Sequence, residues 1–207
     1  GKTLSKIIHQ SYTLFIMKKI IYAIIALVSL TQMSHAQEQG KFRVGMDLGY
    51  AMPDGGGGVL IALEPKYNIA DNMNIGLRFE SAAMAKNITE SGISVEAELA
   101  ASMSYSATFD YYFNSGSSSF APFMGAGAGY NSLANAKLDV GGVGSGEVKV
   151  DGKFGGLVRA GFEAGKFRLA ATYNLIGKTD FGDGVEQKNS YFGISLGFYV
   201  GGGKWKK

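Results

Sequence analysis

The chain contains no cysteine, and its two histidines, His9 and His35, both precede residue 37. From Gln37 onward there is no thiol nucleophile, no disulfide, no lipid-attachment cysteine and no imidazole for a triad or a metal site. Proline is scarce at 3 residues and glycine abundant at 31, a balance that is neither collagen-like nor that of a disordered chain. Long apolar runs are also missing. The run from Ile20 to Leu30 has eleven residues, well short of the roughly twenty that a spanning helix needs.

That run lies inside MKKIIYAIIALVSLTQMSHAQ, Met17 to Gln37. Two lysines, an apolar stretch and the small-x-small ending Ser34-His35-Ala36 describe a secretory signal peptide cleaved after Ala36. A signal peptide acts from a free N-terminus, so Met17 is the expected start. Residues 1–16 are then an upstream extension not translated natively, 17–36 the leader and 37–207 the mature domain. The whole chain has 20 Lys+Arg against 17 Asp+Glu, but Lys2, Lys6, Lys18 and Lys19 precede Gln37 and no acid does. The mature chain is nearly neutral, so the nominal basicity implies no nucleic-acid partner.

What is present is period-2 alternation, almost everywhere. In KFRVGMDLGY, Phe42, Val44, Met46, Leu48 and Tyr50 share one face, while Arg43, Gly45, Asp47 and Gly49 share the other. Between Ile93 and Phe113, Leu99, Met103, Tyr105, Phe109 and Tyr111 oppose Ser102, Ser104, Ser106, Thr108, Asp110 and Tyr112. KFRLAATYNLI and SYFGISLGFYV repeat the pattern near the C-terminus. Four weaker runs, near 58–68, 73–85, 120–131 and 149–164, complete a set of eight expected strands. Connections two, four and six (about 69–72, 114–119 and 165–166) are expected to be short. Connections one, three, five and seven (52–57, 86–92, 132–148 and 178–188) are expected to be longer.

An even number of strands with short turns at one end and longer loops at the other predicts a barrel. The predicted fold is all-β: an eight-stranded antiparallel up-and-down transmembrane β-barrel in a bacterial outer membrane, with both termini in the periplasm. Alternation alone leaves open a soluble secreted ligand-binding barrel of the lipocalin kind, with apolar residues inward. The small side chains of the polar face suit a narrow eight-stranded lumen. Tyr50, Tyr67, Tyr130, Tyr173 and Phe198 lie near strand ends, where interfacial girdles belong.

The polar face collects Arg43, Asp47, Glu64, Lys66, Arg78, Glu80, Asp110, Arg159, Glu163 and Arg168. Charges enclosed in a narrow lumen must pair, because an unpaired one costs several kcal/mol; a lumen-filling ion network is expected over a selective pore or an acid–base pair. No catalytic residue, cofactor site or metal site is expected. GAGAGY (125–130) and GGVGSG (141–146) resemble phosphate loops only in glycine content, since no helix follows to supply an anion-binding N-terminus. Gly125, Gly127 and Gly129 are expected to face the interior. Gly177-Lys178-Thr179 lacks the earlier glycine of a P-loop, position 172 being threonine. Asp180, Asp183 and Glu186 do not have EF-hand spacing.

The stretches LEPKYNIADNMNIGLRFE (63–80), FAPFMGAGAGY (120–130), FGGLVRAGFEAGKFRLAATYNLIG (154–177) and YFGISLGFYVGGGKW (191–205) resemble the OmpA/OmpW-type small outer-membrane β-barrels, also called porin-family barrels. The resemblance covers most of the mature chain. It implies a non-enzymatic protein with a structural or interaction role, or a narrow porin-like conduit for small solutes. It also implies outer-membrane lipid as a partner, with periplasmic chaperones and the barrel assembly machinery engaged during biogenesis. Segments 86–92, 132–148 and 178–188 are the candidate surfaces for an extracellular ligand. The alternative of an outer-membrane enzyme is disfavoured, since such hydrolases generally use a histidine base.

Overall fold

The computed structural model describes residues 38–90, 94–114, 118–139, 148–180 and 186–203; the expected leader and upstream extension lie outside them. The strands are β1 Phe42–Pro53, β2 Gly56–Ala70, β3 Met73–Glu90, β4 Ser94–Tyr112, β5 Phe120–Asp139, β6 Val148–Ala164 and β7 Phe167–Ile176, then a small hairpin of β8 Thr179–Asp180 and β9 Glu186–Gln187, and finally β10 Tyr191–Gly201. Eight of them form a closed barrel in the order β1-β10-β7-β6-β5-β4-β3-β2, while β8 and β9 pair only with each other. Every neighbouring pair in the wall is antiparallel, and β10 closes on β1 from Arg43↔Gly201 to Pro53↔Tyr191. Closure leaves no open edge within the wall, which is what hydrocarbon demands of a sheet.

The register sets the barrel's dimensions. Arg43 pairs with Lys66, and the circuit continues through Gly76, Thr108, Gly127, Leu157, Asn174 and Tyr191. It returns to β1 at Pro53, ten residues beyond its start. With ordinary strand spacings this stagger tilts the strands by about 40° and leaves an interior only wide enough for side chains.

Alternation decides which side chains enter that interior. Phe42, Met46, Leu48 and Tyr50 of β1 are exposed, whereas Arg43 and Asp47 are buried. The same holds around the wall. Leu196 is 58% exposed and Leu77 56%, while Arg78 beside it is 2% exposed. An apolar wall around a charged interior is the reverse of a soluble ligand-binding barrel and is the arrangement that faces lipid.

Aromatic residues band that wall at two levels. Near the short turns, Phe42 packs on Tyr67, Phe120 on Phe162 and Phe167 on Phe198. Toward the other end, Tyr130 packs edge-on against Phe154, with Tyr50, Tyr173 and Phe192 also exposed. From Phe42 to Tyr50 the tilted strand climbs about 20 Å, close to the height of a barrel's apolar band. The chain forms a transmembrane β-barrel.

The connections depart from expectation at one end. The short ones are as expected: a turn at 71–72, a link between Tyr112 and Phe120, and the two-residue turn Gly165-Lys166, where Gly165 has a φ of 63°. The first connection, expected as a loop over 52–57, is only the turn Asp54-Gly55, with Gly55 at φ 73°. Most of 86–92 is strand, with pairing out to Glu90↔Ser94. Much of 132–148 is strand as well, since β5 pairs with β4 out to Glu96↔Asp139 and with β6 at Ala136↔Val148. The physical reason is that alternation marks a sheet only where its two faces differ. In KNITE (86–90) and NAKLD (135–139) the sequence offers no sustained apolar face, yet backbone pairing continues.

Candidate functional site: a charged barrel interior

Ten charged side chains enter the lumen from six of the eight wall strands: Arg43 and Asp47 (β1), Glu64 and Lys66 (β2), Arg78 and Glu80 (β3), Asp110 (β4), Arg159 and Glu163 (β6), and Arg168 (β7). None is more than 4% exposed, and they are all of the buried charges among the described residues. Five are bases and five are acids, so the interior is neutral in sum. Neutrality matters because a net buried charge has no water to screen it.

Glu64 is the hub. Its carboxylate receives Arg159 Nη2 at 2.7 Å and Nη1 at 3.1 Å, Arg78 Nη1 at 3.3 Å and the Thr108 hydroxyl at 2.7 Å. Lys66 and Arg168 lie 3.6 Å and 3.7 Å from it. Arg159 also donates to both oxygens of Asp110, Nε at 2.8 Å and Nη2 at 2.9 Å. Its planar fork thereby clamps two carboxylates at once, a geometry that lysine could not reproduce. Lys66 completes the Asp110 pair. Arg78 reaches Asp47 and Glu80, the latter through Nε at 2.9 Å and Nη2 at 2.7 Å.

A second pair lies nearer the turns, where Arg43 Nη2 meets Glu163 Oε1 at 2.6 Å. The Tyr112 hydroxyl donates to the same oxygen at 2.7 Å, and Arg43 stacks 3.9 Å over the Tyr199 ring. Tyr199 joins the two groups, since its hydroxyl accepts from Arg168 and lies 3.4 Å from Glu64. Arg168 also stacks 4.0 Å over Phe123. Below this layer, Asn68 Nδ2 donates to the carbonyls of Glu38 and Gly202, tying the two ends of the described chain together. At the turn, Lys166 donates to the Gly201 carbonyl. Its ammonium is held at about 8, lowered by burial and by nearby Arg43 against the opposing pull of Glu163.

Glycines make room for these groups. A Cβ on Gly125 would lie 2.0 Å from Asp110 Oδ1 and 2.8 Å from the Phe109 carbonyl. One on Gly197 would lie 2.0 Å from Asp47 Oδ1, and one on Gly45 would strike the Tyr199 ring. The interior placement of Gly125, Gly127 and Gly129 thus reflects packing, each opposite a neighbour's bulk. Gly125→Ala is expected to displace Asp110 from Arg159 and lower stability by about 1–3 kcal/mol. Gly156→Ala, whose added carbon meets only the Gly127 carbonyl at 3.2 Å, should cost clearly less. Urea midpoints in lipid vesicles compare the two.

The interior also holds side chains outside the charged set. Tyr112, Tyr191 and Tyr199 are buried, and the Tyr191 hydroxyl donates to Glu80. Leu60, Met84, Leu133, Ile176 and Tyr191 form one buried apolar cluster with three alanines. Parity was the available signal for all of these, because each shares its strand's inward face. Among the described residues no group of three acidic, histidine or cysteine side chains could hold a metal ion, and Asp183 lies outside them. All five acids are committed to cations, leaving no solvent-facing acid–base pair within the lumen.

No protein-family model matches the chain, and no curated protein matches it in sequence. Among solved structures it is similar to Neisserial surface protein A, at 16% identity over 77% of this chain and 95% of that one, with a TM-score of 0.46. It is similar to the outer membrane protein OprG from Pseudomonas aeruginosa, at 14% identity over 79% and 97%, with a TM-score of 0.44. It is also similar to the N-terminal β-barrel domain of Pseudomonas aeruginosa OprF, at 12% identity over 79% and 99%, with a TM-score of 0.43. These three include an outer membrane protein and a β-barrel domain.

Proposed function

We propose that this chain is a non-enzymatic protein of a bacterial outer membrane, acting as an occluded structural or interaction barrel with its termini toward the periplasm. The observation that carries the reading is the neutral, interlinked ion network across the lumen, with Glu64 and Asp110 shared among Arg159, Arg168 and Lys66. Opening a water path through it would require separating several buried pairs together, each costly to break. A conduit role is correspondingly weakened. Interaction with partners falls to the end opposite the short turns, where β3 to β6 extend beyond the outer aromatic band. Outer-membrane lipid covers the wall, and chaperones with the assembly machinery deliver the barrel.

In planar bilayers the purified protein should show little or only small conductance. Steady currents on the scale of a sixteen-stranded porin would overturn the occluded reading. Cell fractionation with heat-modifiable gel migration checks membrane residence and closure together. Recovery in the soluble periplasmic fraction would sink the outer-membrane assignment.

A further inference from the structure

The inward-facing residues change chemistry along the barrel axis, in the same sense on several strands. Reading away from the short turns, β2 presents Asn68, Lys66 and Glu64, then Ala62 and Leu60. Strand β3 presents Asn74, Arg78 and Glu80, then Ala82 and Met84; β1 presents Arg43 and Asp47, then Ala51. The inward face of β7 runs from Arg168 to Ile176, and that of β6 from Glu163 and Arg159 to Leu157. The ion network therefore fills the half near the turns. The apolar cluster of Leu60, Met84, Leu133, Ile176 and Tyr191 occupies the other half, with the uncharged side chains of Ser102, Ser104, Asn131 and Asn174 between its members.

We infer that the lumen is closed by two chemically different seals in series, an ionic plug toward the turns and an apolar seal toward the opposite mouth. The inference rests on the occluded-barrel reading and deepens it. An ionic plug resists water because its charges are paired, and it yields to whatever competes for those charges. An apolar constriction excludes ions by dewetting and does not respond to salt or to protonation. Close fit supports the second seal: a Cβ on Gly193 would lie 2.8 Å from Leu60 Cδ2, so that leucine already fills the space left by the opposing glycine. The ion network meets the apolar layer at Glu80, whose carboxylate accepts from the Tyr191 hydroxyl and, at 3.4 Å, from Asn174 Nδ2. Breaching either layer alone should leave the barrel shut.

Ser106 lies between the two layers, buried, with Arg78 and Gly129 as its strand partners. The chain has no cysteine, so Ser106→Cys provides a single thiol without background. The protein is inserted into vesicles with one orientation, read from which side trypsin reaches. A small charged methanethiosulfonate is then added outside or trapped inside. In the Ser106→Cys protein the thiol should be protected from both sides. Leu60→Ser with Leu133→Ser, both in the apolar cluster, should raise its labelling by at least about tenfold from the loop side alone. Glu64→Ala with Arg159→Ala removes one acid and one base together, and should raise labelling from the turn side alone. Only the combination should conduct in planar bilayers. Heat-modifiable migration selects the folded variants, and Glu64→Gln with Arg159→Gln replaces the alanine pair if it does not fold.

A thiol already labelled from the loop side without the leucine substitutions would overturn the apolar seal and leave the ionic plug standing. Labelling from the turn side before the plug is altered would overturn the plug, and with it the occluded reading. Conduction by either paired variant alone would refute the series arrangement.

Discussion

Glu64→Ala is expected to be the most damaging single substitution in this barrel, lowering stability by roughly 3–5 kcal/mol. The carboxylate lies within 4 Å of four cationic side chains, Arg78, Arg159, Lys66 and Arg168. Its removal leaves the interior with one unpaired positive charge and leaves the Thr108 hydroxyl without its acceptor. The loss arises mainly from the stranded charge, so restoring neutrality should recover part of it. Lys66→Met in the Glu64→Ala background removes a cation whose other partner, Asp110, is still held by Arg159. The double variant should therefore be more stable than Glu64→Ala alone, although it carries one more substitution. Urea unfolding in lipid vesicles measures both. Equal stability of Glu64→Ala and the parent would show that the network contributes nothing net to the fold.

The second large effect concerns the wall. Ala171 faces outward near the middle of β7, opposite Ile194 and Ala160, whereas its neighbour Ala170 is 3% exposed and faces the lumen. Ala171→Arg should impair assembly by roughly 2–4 kcal/mol, the cost of an arginine at a lipid-facing midplane position. A fluorescence measurement then identifies the medium outside. Trp205 is the single tryptophan of the chain, so Trp205→Phe provides a dark background. In that background, Ala171→Trp should be quenched by lipid brominated along its acyl chains. The inner reporter cannot be Ala170→Trp, because Ala170 is packed with Tyr112, Ala121 and Phe123. Phe123→Trp, nearly conservative in shape and 1% exposed, should report from inside and remain unquenched. Quenching at position 123 but not at 171 would reverse the inside and outside of the barrel.

How much of this was legible beforehand follows from where the period-2 signal is strong. In β1, β4, β7 and β10 the two faces differ sharply, as with Leu169 against Arg168 or Leu196 against Gly197, so the strands and the division into two faces could be read directly, while which face turns inward could not be read from parity alone. The inward charges could be picked out for the same reason: each shares its strand's polar parity. Their partners could not. Arg159 and Glu64 are 95 positions apart, yet 2.7 Å separates them, and no local pattern encodes a contact across the lumen. The far ends of β3 and β5 fall in segments expected as loops, 86–92 and 132–148, because backbone pairing there continues without a clear apolar face in the sequence.

Composition and alternation by themselves determined that Gln37 onward lacks thiol and imidazole chemistry, forms an even set of strands and turns one polar face away from one apolar face. Those are properties of neighbours along the chain, and a periodicity of two is enough to carry them. Closure, the ten-residue stagger and the meeting of Glu64 with four cations were decided only by the tertiary structure, because they depend on which strand lies beside or across from which. The division of the lumen into an ionic half and an apolar half belongs to the same level. Leu60 and Glu64 are separated by four residues on one strand, and it takes the register of all eight strands to show that each sits in a layer of its own kind.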